Sequence, residues 1–195
     1  MENKNPVWKY AMNYGAIIGI ALVVYQLILY VFDIFKTGFW VGVLISLASM
    51  LILILGIIFS TKHYRNNTLG GIISYKQALV FGTLICLFSS VITGFFNYLL
   101  NAVIDPGYQE RMMQAMQESV VGYMSNMGVS ESEIENTVER MNGPLPSPFK
   151  TAITSVLWGT AVGFILSLIT SAFLKKEGNP FDAAMNNNTD QPPLT

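Results

Sequence analysis

Histidine and cysteine occur once each in the 195 residues, as His63 and Cys86. A single thiol excludes a disulfide framework and a multi-cysteine zinc site. A single imidazole withholds the group that most acid/base and metal chemistry uses at neutral pH. Charge is scarce as well: Asp, Glu, Lys and Arg make up 12% of the chain, about half the share of an ordinary soluble domain. The 11 basic residues are balanced by 12 acidic ones, so the basic excess of a nucleic-acid binder is absent. No phosphate-binding glycine loop, dinucleotide fingerprint, zinc-protease helix or nucleophile elbow appears. His63 lies beside Lys62 and Tyr64 without convergent partners, and a thiol among Ile85 and Leu87 is expected to be inert. Catalytic residues, cofactors and metal sites are therefore expected to be none.

Hydrophobic residues make up 52% of the chain. Residues 11–32, 39–59, 78–100 and 152–174 contain no Asp, Glu, Lys, Arg or His. Each stretch exceeds the roughly 20 residues a helix needs to cross a hydrocarbon core of about 30 Å. The first is too long for a signal-peptide core and is followed by Asp33, Ile34, Phe35 and Lys36 rather than a small-residue cleavage site. The fold class expected is an all-α integral membrane protein: four transmembrane helices, with an amphipathic helical extracytoplasmic insertion at 101–151 between helices three and four. Residues 1–10 form an N-terminal segment, and 175–195, with Asn186, Asn187, Asn188, Pro192 and Pro193, a disordered tail.

Basic residues orient the chain. Lys4, Lys9, Lys62, Arg65, Lys76, Lys175 and Lys176 fall on one side of a four-span protein. Lys36, Arg111, Arg140 and Lys150 are spread over a longer stretch on the other. Both termini are thus expected in the cytoplasm and the 101–151 segment outside it.

Helices in lipid gain little from apolar burial, so small residues that admit close backbone approach mark their contacts. Ser155, Gly159, Gly163, Ser167 and Ser171 form one row at spacing four. Ala78, Gly82, Cys86, Ser90 and Gly94 form a second, and Ala11, Gly15 and Gly19 a third. Such rows suit either a seam within the bundle or a homo-oligomer; a four-helix chain has seams of its own to fill.

A polar face runs along the third span through Ser90, Thr93, Asn97 and Asn101. A buried amide is costly unless paired, so Asn97 calls for a partner on another helix, and Gln26 in the first span calls for one too. The alternative is that these groups line a path for a small solute. Ionisable groups, the usual mark of intramembrane function, are missing from the spans.

Beyond Asp105-Pro106-Gly107, Tyr108, Met112, Met116, Val120, Met124 and Met127 recur at helical spacing and form an apolar stripe. Gly128 is the expected end of that helix. Ser130 and Glu133 have the spacing of a capping box for a second helix, whose Glu131, Glu135 and Glu139 share a face. Six of the ten methionines lie in this segment. Thioethers can bind soft metals, but no Cys or His reinforces them, and methionine also serves adaptable protein-contact surfaces.

The stretch Gly71-Ile72-Ile73-Ser74-Tyr75-Lys76-Gln77-Ala78 entering the third span, Ile104-Asp105-Pro106-Gly107-Tyr108 leaving it, and Tyr14-Gly15-Ala16-Ile17-Ile18-Gly19 in the first span resemble the motifs of a bacterial four-span inner-membrane family, domain of unknown function 4199. The resemblance covers about residues 8–175 and implies the fold and the inner membrane, with no activity, substrate or site residue attached.

These readings point to a non-enzymatic accessory or interaction protein. Its partners would be the lipid bilayer and a membrane or periplasmic protein, not nucleic acid, and its contact surface the stripe Tyr108, Met112, Met116, Val120, Met124 and Met127. The alternative is a passive channel or small-solute transporter lined by Ser90, Thr93, Asn97 and Asn101.

Overall fold

The computed structural model describes residues 7–34 and 38–176. The N-terminal Lys4, the connecting Lys36 and residues 177–195 of the expected disordered tail 175–195 lie outside the described residues, whereas Lys175 and Lys176 at its start are described and Lys176 pairs with Ile73. Helix α1 spans Val7–Val31, α2 Phe39–Thr68, α3 Tyr75–Leu99, α4 Tyr108–Asn126, α5 Glu131–Met141 and α6 Pro148–Leu174. A π-helical turn, Leu100–Ile104, prolongs α3. Among the described residues, α1, α2, α6 and α3 with its π turn are the four helices long and apolar enough to cross a membrane. The chain is an all-α membrane protein.

Helices α1, α3 and α6 begin about one turn before the charge-free stretches, and α2 runs on past residue 59, where its apolar sequence stops. Ser60, Thr61 and Tyr64 explain the extension of α2: they share one face and are buried against the bundle, while Lys62 and His63 are exposed, His63 meeting Tyr14 of α1 edge-on at 5.9 Å. An unbroken helix also keeps every backbone amide paired through the membrane boundary.

Helix α3 occupies the centre, with α1 packed on one side and α6 on the other; α2 touches the rest more lightly. The small-residue rows are the seams. A Cβ on Gly82 would stand 2.7 Å from Ser167 Oγ, one on Gly159 3.0 Å from Ser90 Oγ, and one on Gly163 would collide with the Cys86 side chain. Gly94 receives Val156 in the same way, at 2.5 Å. The rows of α3 and α6 therefore interlock residue by residue in antiparallel register. On the other side of α3, a Cβ on Gly15 would meet Ile85 O at 2.8 Å and one on Gly19 would meet Ser89 Cα at 3.1 Å. At each of these glycines a side chain or backbone atom of the neighbouring helix stands where a Cβ would go. All three rows are used within one chain.

The two ends of the bundle are tied differently. At one end the α2–α3 connection pairs with the end of α6. Ile73 N–H donates to Lys176 O (3.0 Å) and Lys176 N–H donates to Ile73 O (2.9 Å). Arg65 Nη1 adds a bond to Leu174 O at 3.2 Å. Gly70 and Gly71, at φ +64° and +88°, make the turn that brings Ile73 there. Ser74 and Gln77 then start α3 with a reciprocal capping box. Tyr64 stacks on Phe81 beneath this strap, ring centroids 4.3 Å apart.

The other end carries the insertion. Asp105 N–H bonds to Leu100 O at 2.8 Å and closes the π turn. Asp105 Oδ2 accepts from Tyr30 Oη of α1 at 3.1 Å and from the Arg111 guanidinium of α4. Helix α4 stops as expected at Gly128, whose φ is +74°. Gly128 N–H bonds to Ser125 O and Val129 N–H to Met124 O, both at 3.1 Å, the paired bonds of a Schellman motif. Ser130 does precede α5, but its hydroxyl hydrogen-bonds the Glu133 carboxylate (3.2 Å) and caps no backbone amide. The expected capping box is thus not formed here: the serine's proton goes to the acid it was to share the cap with.

Candidate functional site

The polar face of α3 resolves into local bonds. Gln26 Nε2 of α1 donates to Asn97 Oδ1 at 2.7 Å, the interhelical pairing that two facing amides in an apolar span require. Asn101 Nδ2 turns back to Asn97 O at 2.8 Å. Ser90 donates to Cys86 O, and Thr93 to Ser89 O (3.1 Å) and Ser90 O (3.2 Å), all within their own helix. The four residues do not line one space. Ser90 and Thr93 border a cavity of about 390 Å³ among α1, α2, α3 and α6, together with Ser46, Ser49 and Trp158. Asn97 and Asn101 stand outside that lining.

The stripe on α4 also divides. Tyr108 is buried, its ring edge-on to Tyr30 at 5.2 Å. Burial pushes its hydroxyl up to about 12, so it stays protonated. Met112, Met116 and Val120 lie over α2 on the border of a second cavity, of about 530 Å³. Met127 belongs to a third, of about 430 Å³, with Glu118 and Asn126. Met116 and Met127 remain 55% and 65% exposed. The face of α4 turned to the bundle is set by smaller residues than the stripe suggested: Ala115 is buried and Ser119 half-buried between Tyr108 and Tyr123. Tyr123 stacks on Phe39, centroids 4.3 Å apart, and meets Trp40 edge-on at 6.0 Å. Gln117 Nε2 bonds Asn142 Oδ1 (2.9 Å) and joins α4 to the end of α5. No residue of α5 is buried.

The hinge of the insertion is electrostatic. The Arg111 guanidinium holds the Asp105 carboxyl below the usual carboxylate range, and the Tyr30 hydroxyl adds to the effect. The same pairing raises Arg111. This cluster fixes the start of α4 against the ends of α1 and α3.

Sequence reasoning missed Ser46, Ser49, Phe39, Trp40, Glu118 and Tyr123 as wall residues. The Phe39-Trp40 doublet at the head of α2 and the aromatic Tyr123 amid methionines were the available signals.

Two of the three motifs that carry the family resemblance have structural work to do in this fold. Residues 71–78 make the strap and cap, and 104–108 the π turn and its clamp. In the third, Gly15 and Gly19 sit in the α1–α3 seam. Over residues 13–176 the chain matches the family model described as protein of unknown function (DUF4199), and it belongs to that family. No curated protein and no solved structure matches it.

Proposed function

We propose that the chain is a non-enzymatic accessory component of the bacterial inner membrane, with both termini in the cytoplasm and the α4–α5 insertion on the periplasmic face as its partner-contacting part. The observation that carries this reading is the state of the insertion. It is anchored at Tyr108 and Tyr123, yet α5 buries nothing and Met116 and Met127 stay largely exposed. A segment held in place with its soft apolar and acidic side chains outward suits recognition of a membrane or periplasmic protein. Charge supports the orientation. Asp33, Asp105 and every other acid among the described residues lie at the insertion end. The strap end has Lys9, Lys62, Arg65, Lys76, Lys175 and Lys176 and, among the described residues, no acid.

The competing reading, a passive channel or small-solute carrier, draws on the cavity bordered by Ser90 and Thr93. Against it, the amides sit apart from that cavity and the Ser90 and Thr93 hydroxyls donate within α3, so a passing polar solute finds few free donors there.

Site-specific photo-crosslinking in cells from Met127, Glu135 and Val138, read by mass spectrometry, tests the proposal. A reproducible adduct with one other protein is expected. Adducts confined to lipid or to the chain itself would overturn it. Flux that disappears in Asn97→Leu and Asn101→Leu variants would favour the carrier.

A further inference from the structure

The three cavities join along α2. The one at the insertion end shares Gly38, Phe39 and Ser119 with the middle one. The middle one shares Ser46 and Met50 with the cavity inside the bundle. Their walls together trace one crevice-like path along α2, from Phe39 down to Met50 and Leu53. We propose that it holds one membrane phospholipid with an ammonium-bearing headgroup, an acyl chain lying along α2 and the headgroup between Trp40 and Glu118. The lipid site does not rest on the protein-contacting role proposed for the insertion, although Met116 and Met127 border both.

Length, wall chemistry and charge each point to that occupant. From Phe39 to Met50 is eleven residues, about 16 Å of helix, and one leaflet of hydrocarbon is about 15 Å deep. The middle of the crevice is walled by Val43, Leu47, Met112, Met116 and Val120. Water has too few hydrogen-bond partners along these apolar walls to be held there. At the deep end the hydroxyls are already spent: Ser46 donates to Gly42 O (3.0 Å), Ser49 to Ser46 O (2.8 Å) and Ser89 to Ile85 O (2.9 Å). A hydrocarbon chain therefore strands no donor.

The mouth differs from the rest of the crevice. Among the described residues Glu118 is the one charged side chain lining it, and no ion pair or hydrogen bond is made to it there. The Phe39, Trp40 and Tyr123 rings stand beside it. A carboxylate with aromatic faces attracts an ammonium group and repels a headgroup whose only charge is phosphate.

The test uses the full chain, purified from nanodiscs containing equal amounts of phosphatidylethanolamine and phosphatidylglycerol and read by native mass spectrometry. Wild type should carry one phospholipid with ethanolamine favoured. Gly42 borders the crevice, and a Cβ there meets nothing within 4 Å. Gly42→Leu should therefore fill the space and cut the lipid-bound fraction about tenfold with the melting temperature at or above that of wild type. Gly122→Leu, equally unobstructed at the mouth, serves in its place if Gly42→Leu does not fold. Glu118→Gln should keep the lipid but reduce the headgroup preference about threefold, the range of an exposed ion pair. Wild type that retains no lipid, that holds both headgroups equally, or whose lipid survives in the folded filling variant would overturn the proposal.

Discussion

The two sides of the bundle solve the packing problem in opposite ways. Between α3 and α6, glycine on one helix meets a side chain on the other so closely that no Cβ can be added at Gly82, Gly94 or Gly163 without displacing its neighbour. Between α2 and α4, Gly42 and Gly122 have open space where a Cβ would be. In lipid, association rests on van der Waals contact rather than on expulsion of water. The first side is therefore the scaffold, and the second is free to contact other molecules.

The largest effect expected follows from the tight seam. Gly163→Ala drives a methyl group into Cys86 and should cost about 1–3 kcal/mol, the usual range for overpacking. Adding Cys86→Gly should recover part of that loss, because it vacates the contested volume; thermal unfolding in detergent reads both. Tolerance of Gly163→Ala alone would break the comparison.

A smaller effect is expected in the other seam. Asn97→Leu strands the Gln26 amide and should cost about 1 kcal/mol, as interhelical hydrogen bonds in membranes do. Solute flux should not change.

Acid probes the joint between scaffold and insertion. The Asp105 pKa is lowered in the folded chain, so its contribution is fully present above the ordinary carboxylate range. It is lost as pH falls through the folded value. The protection of α4 amides against hydrogen exchange, relative to their intrinsic rate at each pH, should therefore fall below about pH 4, where an unperturbed Asp protonates. The α3–α6 seam, which has no acid, should keep its protection. Asp105→Asn should remove the difference.

The smallest effect expected is on the loose side. Gly42→Leu replaces a poor helix former by a good one in open space, so stability should stay level or rise by up to about 0.8 kcal/mol.

Much of the scaffold was legible because spacing alone sets it. Rows at four residues mark helix faces, and a face of Gly, Ser and Cys in lipid has few uses other than close packing. The pairing of Gln26 with Asn97 was half legible: each amide needs a partner, but only the fold puts the two together. The crevice was not legible. Its walls come from α1, α2, α3, α4 and α6, which meet only through tertiary packing, and Ser46, Ser49 and Leu47 read as ordinary span residues. The docking face of α4 was not legible either, because hydrophobicity singles out methionine and not the small residues that let a helix approach. Docking instead favoured Ala115 and Ser119, which let α4 approach the bundle, and left Met116 and Met127 at the edge. The strap at Ile73 and Lys176 rests on backbone bonds, which leave no side-chain signal; its cap, Ser74 with Gln77, had the right spacing and went unread.

The most direct test of the division between scaffold and free side is one thermal-unfolding measurement on Gly163→Leu beside Gly42→Leu. The chemical change is identical. The account predicts that the first lowers the melting temperature sharply or prevents folding, and that the second leaves it at or above wild type. Equal melting temperatures for the two variants would contradict it.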